Sequence, residues 1–160
     1  MTRPFFALIT LVARPLLASE CLTTLPPSPP FVPPAPYSST SPWASQSKFW
    51  YGTDSLWTNL EFDATWRMGN NVGKGKFYRT KLVYWRKGFD WREPERDLVV
   101  VDRRLDSDAP LVAAGHASAV FITGNTPAMM TAINIPAVGC WEIAASYKGN
   151  TLNYVVSLEP

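Results

Sequence analysis

Two cysteines lie at opposite ends of this 160-residue chain. Cys21 follows an apolar segment, and Cys140 lies just before the last predicted hairpin. A bond between them would tie the N-terminal segment to the C-terminal strands and enclose most of the chain in one covalent loop. In the chain-entropy model a loop of this length is worth at most about 4 to 5 kcal/mol. The pair therefore favours one small folded unit in a compartment where thiols are oxidised.

Residues 1–18 are predicted to be a signal peptide. Arg3 gives the segment a positive start, residues 5–13 form an apolar run, and Arg14 and Pro15 end that run. The run is far shorter than the roughly 20 residues that a membrane-spanning helix needs, whereas its length and flanks are typical of a secretion signal. We therefore expect a protein that is secreted or held in the extracytoplasmic envelope, with no transmembrane span in the mature chain.

Two other states of Cys21 stay open. Leu16-Leu17-Ala18 resembles the short apolar box that precedes a lipidated cysteine, although Glu20 occupies a position that is small in such signals. Lipidation would make the protein a lipoprotein anchored at Cys21. If residues 1–18 are not a leader, two free buried thiols are expected instead.

The charge of the chain gives no support to a nucleic-acid partner. The full chain has 15 Lys and Arg against 13 Asp and Glu. Arg3 and Arg14 lie in the predicted leader, which has no acidic residue, so the mature chain has 13 basic residues (15 − 2) against 13 acidic ones. The sequence pI of about 8.6 therefore largely reflects the leader, and no basic surface is implied.

A proline-rich segment is predicted over residues 19–42. Residues 25–36 contain seven prolines in twelve positions, which favours an extended polyproline II conformation. The segment is either a stalk, which needs a free or lipidated Cys21, or a strap across the domain, which needs the disulfide. The strap is the preferred interpretation. Aromatic residues are predicted to pack beneath it: Trp43, Phe49, Trp50, Tyr51 and Trp57.

Residues 43–160 are predicted to form a single all-β domain. Apolar and polar residues alternate from Leu56 to Phe62 and again in the last two predicted strands, which is the period of a half-buried strand. The turn Lys148-Gly149-Asn150 joins those last two strands. Their alternation places Trp141 on the face opposite Cys140. Short strands separated by turn signals are typical of an antiparallel Ig-like β-sandwich.

Residues suited to catalysis are scarce, and we assign no catalytic residue, metal ligand or cofactor. His116 is the single histidine, and its order before Gly139-Cys140 lacks the full motif of a cell-wall cysteine transpeptidase. Glycosidases need two carboxylates at a defined separation. The carboxylates available show no spacing signature: Asp54, Glu61, Asp63, Asp90, Glu93 and Glu95.

Aromatic and basic residues interleave between residues 74 and 92. The candidate binding residues are Lys81, Tyr84, Trp85, Arg86 and Trp91. In the functional interpretation, the rings stack on sugars and the cations meet anionic groups of an envelope polymer. In the preferred structural interpretation, the rings face the core and the cations protect an edge strand from aggregation.

The order of several short motifs resembles a group of small exported bacterial proteins and lipoproteins. The motifs are Cys21 with Thr24, the prolines, Trp50-Tyr51-Gly52, the Leu98 to Asp106 run, Ile135-Pro136, Gly139-Cys140-Trp141-Glu142, and the final Leu152-Asn153-Tyr154-Val155-Val156. The resemblance covers nearly all of the mature chain and departs from the group at Glu20. It implies an Ig-like β-sandwich with no established activity and no catalytic residue to carry over.

The sequence therefore favours a non-catalytic exported Ig-like module with a structural or binding role in the bacterial envelope or medium. Its ligand is unknown, and an envelope glycan or protein is the expected class of partner. The alternative is a carbohydrate-active protein that binds or cleaves an extracellular polymer.

Overall fold

The computed structural model describes residues 20–37, 47–68, 77–93, 97–122 and 126–160. The predicted signal peptide, Trp43 and the end of the proline-rich segment lie outside these ranges. Ten strands and no helix occur within them, so the all-β prediction is confirmed. The strands are β1 (Lys48–Thr53), β2 (Leu56–Glu61), β3 (Thr65–Arg67), β4 (Tyr78–Tyr84), β5 (Val99–Arg104), β6 (Val112–Ala113), β7 (Ser118–Ile122), β8 (Thr126–Ile135), β9 (Gly139–Tyr147) and β10 (Asn150–Glu159).

One layer is a five-stranded sheet in the order β3-β10-β9-β5-β6. The antiparallel β9–β10 hairpin forms its centre, with Trp141 opposite Val156. Lys148 and Gly149 have φ angles of 45° and 78°, the left-handed conformation of tight hairpin turns. The prediction of a purely antiparallel architecture is wrong at β3, which pairs with β10 in parallel. Residues 62–64 carry the chain from β2 to this edge of the five-stranded sheet.

The second layer contains the β1–β2 hairpin and the three-stranded sheet β4-β8-β7. The two parts meet at Trp57 and Trp85, whose backbones exchange two N–H···O hydrogen bonds of 2.9 Å. Trp85 directly follows β4, and beside this bridge the Thr58 hydroxyl on β2 donates to the backbone oxygen of Val83 on β4 at 2.8 Å. A narrow gap lies between β2 and β4 next to these contacts.

The two layers share one cluster of buried side chains. Trp141, Ile143 and Val156 come from the five-stranded sheet, and Leu60 and Met129 come from the other layer. Within the cluster, the hydroxyls of Tyr84 and Tyr154 are 2.8 Å apart and link β4 to β10. Trp141 is fully buried in this cluster, which places its ring on the core side of β9.

The N-terminal segment is bonded to both layers. Cys21 and Cys140 form the predicted disulfide, with their Cα atoms 5.4 Å apart. Thr24 exchanges two hydrogen bonds with the backbone of Val155 in β10, of 2.9 and 2.8 Å. Further along, Phe31 and Tyr37 pack against the ring of Trp57, on the face of β2 turned away from the shared core. Residues 20–37 therefore lie across the molecule as a strap.

Candidate functional site

The structure does not bring the five candidate binding residues together on one surface. Tyr84 points into the shared core, where its hydroxyl meets that of Tyr154. Trp85 points to the opposite side, where its ring lies edge-on to Trp50 at 5.2 Å beneath the strap. Neighbouring residues of an extended chain point to opposite faces, and here both faces are covered. Neither ring is exposed to stack on a ligand.

The other three candidates are separated from one another. Lys81 is exposed on β4. Arg86 lies in the loop after β4 and binds the carboxylate of Glu93 at 3.1 Å. Trp91 is 39% exposed in the same loop, and the guanidinium of Arg92 lies 4.7 Å from the centre of its ring. The interleaved sequence thus places its rings and cations in several different environments.

Glu93 anchors the loop after β4 to the β9–β10 turn. Its carboxylate accepts hydrogen bonds from the Tyr147 hydroxyl at 2.6 Å and from Arg86 at 3.1 Å, and it pairs with the ammonium of Lys148. The hydrogen bond from Lys148, and next that from Tyr147, lower the pKa of Glu93 to about 2. The Glu93 carboxylate is therefore fully engaged, and its bonds hold the loop after β4 against the β9–β10 turn.

An open cleft lies beside β3. It has a volume of about 450 Å³, and we call it the β3 cleft. Its lining residues are Ser47, Glu61, Phe62, Asp63, Thr65, Trp66, Arg67 and Tyr78. It continues into a wedge of about 120 Å³ between β2 and β4, which shares Glu61, Trp66 and Tyr78 with the cleft and reaches Lys81.

Aromatic rings form much of the cleft wall. Trp66 stacks on Tyr78 with the ring centres 5.9 Å apart and the planes 22° from parallel. Tyr78 belongs to the shared core, so it fixes the ring of Trp66 from one side. Phe62 is 50% exposed at the cleft, and its ring lies 5.9 Å from that of the buried Phe49. Both cleft rings are thus supported from the core.

The charged groups of the cleft are held in pairs. Glu61 binds Lys48 at 3.0 Å, and Asp63 binds Arg67 at 3.5 Å. The backbone N–H of Thr65 donates to Asp63 at 3.0 Å. This hydrogen bond, and next the charge of Arg67, lower the pKa of Asp63. A catalytic general acid needs the opposite shift, because it must keep its proton near neutral pH.

Asp102 on β5 is an unusual buried carboxylate. It lies on the same face of the strand as Val100, a core residue, and no other described residue forms a hydrogen bond with either side-chain oxygen. Burial raises the pKa of Asp102 to about 6, because an apolar environment disfavours the charged form. Asp102 lines neither the β3 cleft nor the wedge, so the burial of its carboxylate affects the stability of the fold and not these sites.

Sequence reasoning assigned no binding role to Phe62 and Trp66, and it included Tyr78 only among the interleaved rings between residues 74 and 92. The available signal was an aromatic residue at the end of the alternating β2 run, directly before the turn at Asp63. His116 is exposed before β7. No cluster of three or more potential metal ligands occurs in the described part of the chain, and no helix there is long and apolar enough to cross a membrane.

Comparison with family models, with curated proteins and with solved structures found no match to this chain.

Proposed function

We propose that this protein is a non-catalytic, extracytoplasmic Ig-like β-sandwich module that binds a ligand in the bacterial envelope or medium. The two layers and their shared core support the sandwich assignment. The single observation that carries the binding role is the β3 cleft, because its wall combines the exposed ring of Phe62 and the partly buried ring of Trp66 with carboxylates that are already paired.

Export is supported by the bond between Cys21 and Cys140, because disulfides persist mainly outside the reducing cytoplasm. The predicted leader and the resemblance to small exported bacterial proteins point in the same direction. Since the sulfur of Cys21 is bonded to Cys140, we propose that the mature protein is held by its disulfide and not by a lipid at this residue.

A binding role fits the cleft better than catalysis does. Hydrolysis of a glycosidic bond requires one carboxyl group that keeps its proton and a second that attacks or activates water. In the cleft, Asp63 is held ionised by Thr65 and Arg67, and Glu61 is occupied by Lys48. These groups are suited to hold hydroxyls by hydrogen bonds rather than to transfer protons.

The test uses protein recovered from the extracytoplasmic fraction of a bacterium that expresses the full chain. The protein is incubated with isolated bacterial envelopes, which are then sedimented, and the retained fraction is measured beside the release of soluble reducing sugars and peptides. We expect retention that saturates with protein concentration and no release of product. Failure to bind the envelopes, or release of product with time, would contradict the proposal.

A further inference from the structure

The geometry of the β3 cleft points to a ligand class: we propose that it binds a neutral oligosaccharide, with the partly buried ring of Trp66 and the exposed ring of Phe62 as the stacking surface. This inference rests on the proposed binding function and names its ligand. No catalytic step is involved.

The shape of the site suits a chain of sugar rings. The cleft of about 450 Å³ lies within the range of ligand-binding sites, and its described lining does not enclose it. The narrower wedge extends it between β2 and β4. A polymer can therefore enter from the side, with one sugar unit over the rings and its neighbours outside the cleft.

The aromatic surface is preorganised. Tyr78 is buried and stacks on Trp66, which fixes the ring of Trp66 where it lines the cleft. A pyranose carries C–H groups on its ring faces, and these pack against the electron-rich face of an aromatic ring. Phe62 leaves apolar area in water at the same site, and covering that area on binding is favourable.

The polar groups of the site match hydroxyls. A sugar hydroxyl both donates and accepts hydrogen bonds, and the Lys48–Glu61 and Arg67–Asp63 pairs offer donors beside acceptors. The Lys48–Glu61 pair is partly buried and already formed, so these two side chains lose less freedom when a ligand binds.

The charge balance favours a neutral ligand over an anionic polymer. Arg67 also faces Glu159 at 3.8 Å. Among the described residues at the site, three carboxylates therefore stand against three cations. They are Glu61, Asp63 and Glu159, and Lys48, Arg67 and Lys81. An anionic polymer would have to compete with these carboxylates for every paired cation.

The experiment titrates the exported full-length protein with cellopentaose, chitopentaose and maltopentaose, and with oligogalacturonate as the anionic probe. Binding is measured by calorimetry and by tryptophan fluorescence at low and high salt. We expect binding of at least one neutral probe, with an affinity that changes less than about threefold between 50 mM and 500 mM salt because no net charge is neutralised. Oligogalacturonate is expected to bind more weakly than that probe.

Three variants locate the site. Trp66→Ala is expected to weaken binding at least tenfold, and Phe62→Ala several-fold. Trp91→Ala removes an exposed tryptophan outside the cleft and is the matched control, which we expect to bind like the wild-type protein. If Trp66→Ala fails to fold, Phe62→Ala alone tests whether the cleft is the binding site, because the Phe62 ring is half exposed. The melting temperature of each variant is measured alongside its affinity.

Three results would overturn the inference. They are no binding of any neutral probe, preferential and steeply salt-dependent binding of oligogalacturonate, and equal loss of binding in Trp91→Ala. If the protein is retained on envelopes but binds no neutral probe, the inference fails and the proposed function stands. If neither envelopes nor probes bind, both fail.

Discussion

Replacing Asp102 by Asn is expected to stabilise the protein at neutral pH. The carboxylate is fully buried on β5, and no other described residue forms a hydrogen bond with either oxygen. At neutral pH the folded protein must therefore either bury an unpaired charge or bind a proton that the unfolded chain does not bind. Both alternatives cost free energy, and asparagine removes the charge while it keeps the size of the side chain.

The magnitude follows from the pKa of Asp102. Burial raises it from 3.8 to about 6, and each pKa unit corresponds to about 1.4 kcal/mol, so the upper limit is about 3 kcal/mol. Because the folded-state pKa is the higher one, the folded protein binds the proton more tightly than the unfolded chain does. The contribution of Asp102 to the free energy of unfolding is therefore most favourable below about pH 4. It falls as the pH rises, and the full destabilisation is present above about pH 6.

The assay is urea denaturation of the disulfide-bonded protein at about pH 4 and about pH 7. The free energy of unfolding of Asp102→Asn is expected to equal that of the wild type at the lower pH and to be up to about 3 kcal/mol higher at the higher pH. Asp108→Asn, at an exposed carboxylate, is the control and should change neither value. An Asp102→Asn protein that is less stable at pH 7 would refute the reasoning, because it would show that the carboxylate has a partner.

Three further substitutions test other parts of the structure. Glu93→Gln should lower the free energy of unfolding by about 1 to 2 kcal/mol at pH 7. Because the pKa of Glu93 is lowered to about 2 in the folded protein, this loss should disappear in urea titrations as the pH drops from about 4.5 towards 2. Trp141→Ala should cost about 3 to 5 kcal/mol in the same assay, because its ring is fully buried. Gly52→Ala should lower the melting temperature, because Gly52 has a φ of 140° and a Cβ there would clash with the carbonyl oxygen of Leu56.

Each of these expectations has a result that contradicts it. A pH-independent loss in Glu93→Gln would mean that its ion pairs contribute nothing. A loss below about 1 kcal/mol in Trp141→Ala would place the ring at the surface. Gly88→Ala is the control for Gly52, since its φ is 68° and a Cβ there meets nothing within 4 Å. Equal effects at both glycines would show that the close approach to Leu56 is absent.

Local patterns in the chain were sufficient to predict several features of the fold. A strand has a side-chain period of two, so the alternation through β9 predicted that Trp141 and Cys140 lie on opposite faces. Trp141 is buried, and Cys140 bonds to Cys21. The turn between the last two strands was also predicted, although its left-handed residues are Lys148 and Gly149. These features depend on neighbours in sequence.

Features that depend on distant parts of the chain were not predictable. The parallel pairing of β3 with β10 joins residues about ninety positions apart. The β3 cleft continues into a gap between β2 and β4, beside the Trp57–Trp85 bridge and the Thr58–Val83 hydrogen bond. Trp85 is buried because the strap covers the outer side of its layer, and alternation shows that two faces exist but not whether both are covered.

The state of Cys21 in protein recovered from the medium or the extracytoplasmic fraction tests export and the strap most directly. Non-reducing peptide mapping by mass spectrometry should find one peptide pair linked through Cys21 and Cys140, with residues 1–18 removed. Two free thiols, or a diacylglyceryl group on Cys21, would contradict the disulfide-bonded strap.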